Sequence, residues 1–580
     1  MAARQAGRRL APGKLRLVVL GTFLVLAWLG MGYRLVQVQV VQAAELRERG
    51  LEQRLVERPL PADRGRIYDR NGDLLAMAVD AETIYAVPGL VTEPLYVAQQ
   101  IGGLLGVDPD ELLGRLESDR DFVYVKRQVD LDQAAQVREM NLAGIFFEPE
   151  TTRVYPAGPV AAHVVGFVDI DGRGLEGLEL QYDALLSGTP GSQIFEKAPS
   201  GTPIPQGRRE EVPAVPGSDL VSTIDLPLQY STQDACVAAL ERTGAKGCWA
   251  VVLEVETGNV LAMAGAPVFD PVARTTVDGQ VFANAVVREP YEPGSIQKLI
   301  TVSAAIEEGV VDVDSVFGAV GDEIELRPGA CESEIDQVYG CYADFEEHET
   351  HDMTVREIFT ASSNVGIIRI AQKLPEGMLV DYIEHFGLTE PTGIDYAAET
   401  SGLLNMPAGC TICPLSAAIG YSIAASPLQM ASAYAAIGND GTWIQPRLVS
   451  TTIDVDGPTD TPEQATREVV TPETARIMRE LLAGVVESGT GGRANVDGYR
   501  VGGKTGTADK LGEDGTYTDV TRASFVGLAP IDDPKLVVAV MVDEPTWDFR
   551  TGGQAAAPVF AEIMEQGLHR LGVTPDGLDG

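Results

Sequence analysis

Ser295 and Lys298 stand three residues apart in Glu292-Pro-Gly-Ser-Ile-Gln-Lys298. A serine hydroxyl with an amine one helical turn away is the least a chain needs for nucleophilic acyl transfer. Pro293-Gly294 marks a turn, and Ser295 is expected to open an amphipathic helix running towards Glu308. Lys298 then shares a helix face with Ser295, so its amine can reach the hydroxyl. A serine acting only as a helix cap is the plainer reading and needs no partner, though the usual capping-box partner would be Glu or Gln where Lys298 stands. Ser362-Ser-Asn364 is a second candidate, lying after a capping box opened by Thr354-Val-Arg-Glu357. Alone it reads as ordinary turn chemistry; with a nucleophile nearby it offers a hydroxyl and an amide at a helix–helix corner.

The third candidate is ambiguous. Gly498-Tyr-Arg-Val-Gly-Gly-Lys-Thr505 satisfies the phosphate-cradling pattern G-x-x-x-x-G-K-[ST]. That loop needs a strand before it and a helix starting at Lys-Thr. Here a loop, 489–497, precedes it, and the three glycines of 506–515 make a poor helix. Lys504-Thr505-Gly506-Thr507 instead fits an edge strand, whose open backbone can pair with an extended peptide. Lys504 and the threonine hydroxyls can meet a carboxylate there. That is a site for a peptide C-terminus.

The elements that must position these residues are spread over 580 residues with a net charge of −40, enough for two or three domains. The acidic bulk would repel a phosphate backbone and argues against nucleic-acid binding. Arg4, Arg8, Arg9, Lys14 and Arg16 make the first sixteen residues basic, and residues 17–33 carry no charge. That run spans about 26 Å as a helix, and continuation to residue 36 lets it cross a bilayer. Basic residues before it place residues 1–16 in the cytoplasm and the rest outside. Val41-Gln-Ala43 would serve as a signal-peptidase site, but it lies late relative to the apolar run, which favours an uncleaved anchor.

Cys236, Cys248, Cys331, Cys341, Cys410 and Cys413 all fall outside the membrane under this topology, where disulfides are expected. Cys331 and Cys341 with His348 and His351 also permit a zinc site, a weaker reading because the spacing is loose. Residues 37–60 read as a helical stalk closed by Pro59-Leu-Pro61, and the Pro/Gly-rich 201–217 as a linker. Between them short apolar runs alternate with turns, with helices near 95–105 and 131–140. Beyond the linker, a helix at 228–243 leads into strands at 249–254 and 260–264. Strands at 523–529 and 536–542 form a second hairpin.

In the order S-x-x-K, S-x-N, K-T-G, the three motifs resemble those of serine β-lactamases and penicillin-binding proteins. The resemblance extends further. Arg64-Gly-Arg-Ile-Tyr-Asp-Arg-Asn-Gly-Asp73, Arg153-Val-Tyr-Pro156, His163-Val-Val-Gly-Phe-Val168 and Gly174-Leu-Glu-Gly-Leu-Glu179 resemble pedestal motifs of class B penicillin-binding proteins. Ile419-Gly-Tyr421, Ser426-Pro-Leu-Gln429 and Asn439-Asp-Gly441 resemble the segment before the last catalytic motif. Gly166-Phe-Val168 with Gly174-Leu-Glu-Gly177 looks like the division-specific, FtsI-type branch.

This resemblance implies an α+β multidomain fold: an N-terminal transmembrane helix, an α+β pedestal and a serine β-lactamase/transpeptidase-like domain of antiparallel sheet with helices. The expected boundaries are a tail at 1–16, anchor at 17–36, stalk at 37–60, pedestal at 61–216, transpeptidase domain at 217–571 and tail at 572–580. The implied activity is D-Ala-D-Ala transpeptidation of peptidoglycan stem peptides, with β-lactams as covalent inhibitors. Ser295 would be the nucleophile and Lys298 its base, with Ser362 relaying a proton and Asn364 holding the substrate amide. Lys504, Thr505, Gly506 and Thr507 would bind the terminal carboxylate, and the backbone N–H groups of Ser295 and Thr507 would form the oxyanion hole. No metal or organic cofactor is called for. A SEDS-family glycosyltransferase and other division proteins of the membrane are the implied partners. Elongation-type transpeptidase, D,D-carboxypeptidase or β-lactamase, and a penicillin sensor or silent division scaffold are the alternatives.

Overall fold

A computed structural model of the chain describes residues 12–52, 54–197, 204–273, 279–332, 340–512 and 517–576. The chain divides into two compact units, one of residues 1–62 and 189–215, the other of 63–188 and 216–580. In the first, an apolar helix, Pro12–Val36, continues as a wider turn through Gln37–Val41. Gly13–Val41 is long and apolar enough to cross a membrane. The stalk is helical over Gln37–Val41 and Ala43–Glu52; Leu55–Leu60 is a strand, not the end of a helix. It lies at the edge of a three-stranded sheet with Gly191–Glu196 and Arg209–Val212. An edge strand tolerates Pro59, which would have broken a helix. The expected linker therefore contains a strand, while 201–203 lie outside the described residues.

In the second unit, the long strand Leu74–Ala86 pairs with Val123–Val129 and Ile145–Val154. Three helices, Pro94–Leu105, Pro109–Leu116 and Leu131–Glu139, bring Ile101, Leu112 and Val137 into one core with Ile84 and Val125. The middle helix was not expected, although Asp108 caps it through the amides of Asp110 and Glu111 and Pro109 opens it. Three of the resembling motifs meet at one carboxylate. Glu179, fully buried, accepts from Arg64 Nε at 2.6 Å and Arg153 Nε at 2.7 Å.

The sheet that carries the candidate site is built from β1 (Gly247–Glu254), β2 (Val260–Ala266), β3 (Gly502–Leu511), β4 (Tyr517–Ala529) and β5 (Leu536–Asp543). Its order is β2-β1-β5-β4-β3, all antiparallel, with β3 at an edge. Central β5 is buried on both faces: Val538, Val540 and Val542 face one core, Val537, Ala539 and Met541 the other. That is why it reads as a continuous apolar run. Helices α1 (Leu226–Thr243), α2 (Lys298–Glu307), α3 (Val355–Ala361), α4 (Asn364–Ala371), α5 (Pro427–Gly438), α6 (Pro472–Ser488) and α7 (Gly552–Arg570) are among the helices of the same domain. Buried residues of α1 and α7 join one core, and those of α2, α3, α4 and α5 the other.

All six cysteines are paired: Cys236 with Cys248, Cys331 with Cys341, Cys410 with Cys413. The zinc reading of Cys331, Cys341, His348 and His351 is thereby corrected. A disulfide leaves neither sulfur as the thiolate that zinc requires. His348 instead bonds Asp344, and its ring meets His351 edge-on at 5.2 Å.

Candidate active site

Ser295 lies in a single tight helical turn, Gly294–Gln297, that leads directly into α2. The turn is pressed between two backbones. Gly294 has φ +54°, and a Cβ there would lie 2.8 Å from Thr507 O. Gly420, φ +92°, accepts from Gly294 N–H at 3.1 Å, and a Cβ on it would fall on Gly294 O. Glycine is required at both by close approach as well as by φ. From below, Tyr434 OH donates to Ile296 O at 2.9 Å, and Thr301 Oγ1 to Ala418 O at 2.8 Å.

Ser362-Ser-Asn364 forms the α3–α4 corner, each residue with its own task. Ser362 ends α3 in the left-handed conformation, φ +61°, uncommon for serine. Ser363 caps α4, its Oγ accepting from Gly366 N–H at 2.9 Å. Asn364 opens α4 and donates from Nδ2 to Ala343 O at 2.6 Å.

Lys298 and Lys504, both fully buried, converge on Ser362. Lys298 Nζ donates to Ser362 O at 2.5 Å and to its Oγ at 3.2 Å, and Lys504 Nζ donates to the same Oγ at 2.8 Å. Helix spacing predicts a Lys298–Ser295 contact; in this state the amine is bonded to Ser362 instead. Burial pulls the Lys298 amine down to about 7, against an opposing pull from the Asp344 carboxylate. Lys504 is held well below the usual lysine range, first by burial and then by the charge of Lys298.

The Lys504-Thr505-Gly506-Thr507 run lies on edge strand β3, with no helix after it, so the phosphate-loop reading fails on geometry as well. Thr505 Oγ1 lies 2.8 Å from Thr490 Oγ1, and Thr507 Oγ1 accepts from Gly552 N–H at 3.2 Å, at the start of α7. A Cβ on Gly506 would lie 2.7 Å from Pro293 O and would strike Ser524 Oγ. The strand can thus approach the Ser295 turn only with glycine at that position. Ser295, Lys298, Ser362, Asn364 and the β3 residues are brought together by α2, the α3–α4 corner and the sheet edge.

The sequence reading gave no role to two carboxylates beside these motifs. Glu292 accepts from Ser422 N–H at 3.1 Å and Tyr517 OH at 2.9 Å, tying the Ser295 turn to the start of β4; burial raises its pKa. Asp344 reaches the corner from a separate segment. No spacing rule relates Asp344 to Asn364, so only the tertiary fold reveals it.

Residues 248–565 match the family model of the penicillin-binding protein transpeptidase domain, and residues 59–222 that of the penicillin-binding protein dimerisation domain. The chain belongs to the class B penicillin-binding proteins, in the FtsI-type group. Among its relatives, penicillin-binding protein PbpB of Mycolicibacterium smegmatis is 34% identical over 94% of this chain and 88% of its own length. Peptidoglycan D,D-transpeptidase FtsI of Escherichia coli is 31% identical over 94% and 90%. The crystal structure of penicillin-binding protein 3 from Mycobacterium tuberculosis, complexed with aztreonam, is 31% identical. It superposes with a TM-score of 0.69 over 89% of this chain and 98% of that one. In this penicillin-binding protein the dimerisation-domain match covers the Arg64–Arg153–Glu179 cluster, and the transpeptidase match covers every candidate site residue.

Proposed function

We propose that the chain cross-links peptidoglycan stem peptides through an acyl-enzyme on Ser295, in septal wall synthesis. The observation that carries this reading is the pair of buried lysines sharing the Ser362 hydroxyl beside the Ser295 turn. An amine near 7 is partly neutral at physiological pH, so Lys298 takes the Ser295 proton as the hydroxyl attacks the penultimate D-Ala carbonyl. The terminal D-Ala leaves with a proton relayed through Ser362. Lys504, Thr505 and Thr507 hold the terminal carboxylate along edge strand β3, and Asn364 holds the donor's amide. The Ser295 and Thr507 N–H groups stabilise the oxyanion; one such donor is worth ~3 kcal/mol. An amine of a second stem peptide then attacks the ester, forming the cross-link and freeing Ser295.

The apolar helix Pro12–Val36 holds the chain in the membrane, with the N-terminus in the cytoplasm and the site outside. The organisation is that of residues 17–36 as anchor, 61–216 as pedestal and 217–571 as the transpeptidase domain. A SEDS-family glycosyltransferase in the same membrane is the expected source of the glycan strands that this chain cross-links. The test is exchange: a peptide ending in D-Ala-D-Ala is incubated with the protein and a labelled D-amino acid. Incorporation of the label with release of one D-Ala is expected. Hydrolysis without incorporation would make the protein a carboxypeptidase.

A further inference from the structure

Asp344 belongs to none of the three motifs, yet it bonds the residue that directly follows the second of them. Its side chain is only 6% exposed. Oδ1 accepts from Val365 N–H at 3.0 Å, in the first turn of α4, and Oδ2 lies 3.0 Å from His348 Nε2. The carbonyl of the preceding residue, Ala343, takes the Asn364 side chain at 2.6 Å. One short segment therefore holds both the backbone and the side chain of the residue pair after Ser362-Ser363. The segment is itself fixed. Cys341–Ala343 pairs with Glu323–Glu325, and Cys341 is bonded to Cys331. His348 Nδ1 is satisfied by Glu349 O at 3.0 Å.

Three groups act on the Lys298 amine: the Ser362 hydroxyl and carbonyl from the α3–α4 corner, Lys504 from β3, and the carboxylate of Asp344. Burial disfavours a charge on Lys298 and the Asp344 carboxylate favours it, while Lys504, on the same Ser362 hydroxyl, is itself held down by burial and by the charge of Lys298. The strength of a general base falls with its pKa, so an amine driven far below neutrality would take the serine proton poorly.

We propose that Asp344 is a positioning residue for acyl transfer: it fixes the corner that carries Ser362 and Asn364, and supplies a negative charge to the corner on which the Lys298 amine is bonded. His348 keeps the Asp344 carboxylate in place by occupying the oxygen that does not bond α4. The inference rests on the reading of Lys298 as the base.

The test measures the second-order rate of penicillin acylation of the full chain in detergent, from about pH 5 to about pH 9. Wild-type protein, Asp344→Asn and Asp344→Glu are compared. Asparagine keeps an acceptor for Val365 N–H but lacks the charge, so its acid limb is expected to move down by about one pH unit. Its plateau should fall as the base weakens, while Asp344→Glu keeps the limb at the wild-type position. A uniform loss of rate with an unmoved limb in Asp344→Asn would overturn the proposal, since a merely structural role lowers the rate at every pH. A wild-type profile with no limb near 7 would overturn the base reading of Lys298, and this inference with it. If Asp344→Asn does not melt cooperatively, Asp344→Ser provides the same readout.

Discussion

Ser362 is a hydroxyl with two buried lysines on it, and that arrangement sets what each residue can do. Two ammonium groups so close and so dry cannot both stay charged, so at least one is neutral near pH 7. With Lys298 at about 7, the neutral, proton-accepting form gains population as pH rises through 7. The acylation rate is therefore expected to increase through that range and level off above it, as a stopped-flow pH profile with a β-lactam would show. Lys298→Met should lower the rate ~10²–10⁴-fold, yet leave the melting temperature unchanged or higher. It replaces a buried amine with an apolar chain of similar volume, so the desolvation cost relieved offsets the loss of the bonds to Ser362. The helical turn carrying Ser295 and Lys298 and the edge strand carrying Lys504 were legible in the sequence, because turn residues and glycines mark them locally. The Lys298–Ser362 contact was not, because it joins residues 64 positions apart.

At the scale of elements, the site depends on how closely β3 can lie against the Ser295 turn. Gly506 is the residue that permits it, with Pro293 O 2.7 Å from where a Cβ would stand. Gly506→Ala should push the strand away from the turn and cost ~1–3 kcal/mol of stability. Its acylation rate should fall further than Thr505→Ser, which keeps the hydroxyl; thermal melts and labelling rates of the two variants check this. Elements with strong local signals were legible. The hairpin β1–β2, helix α1 and strand β5 lie within two residues of their expected positions, because turn residues and periodicity agree there, while β4 begins six residues before its expected start. The stalk was misread because Pro59 ends a helix and suits an edge strand equally well, and only the distant Gly191–Glu196 decides between them. The cysteine pairing was left open by the count alone, since six cysteines allow many pairings; the fold pairs each cysteine with its neighbour along the chain.

For the whole molecule, the buried cluster at Glu179 joins segments far apart in sequence, and a net charge of −40 opposes compaction. Glu179→Ala would leave the Arg64 and Arg153 guanidinium groups buried without their shared carboxylate. A loss of ~3–5 kcal/mol is expected, seen as a lower denaturation midpoint, with penicillin labelling per folded molecule unchanged. Added salt should raise the melting temperature of the wild-type chain by screening acid–acid repulsion. The expectations for acylation and labelling presuppose that the chain works by a covalent bond at Ser295. The measurement that tests this most directly is mass spectrometry of the full chain after exposure to penicillin, with the adduct mapped by proteolysis. One adduct per molecule, on Ser295, stable for hours and missing from Ser295→Ala, is what the arrangement predicts. An adduct on another residue, or none on folded wild-type protein, would contradict it.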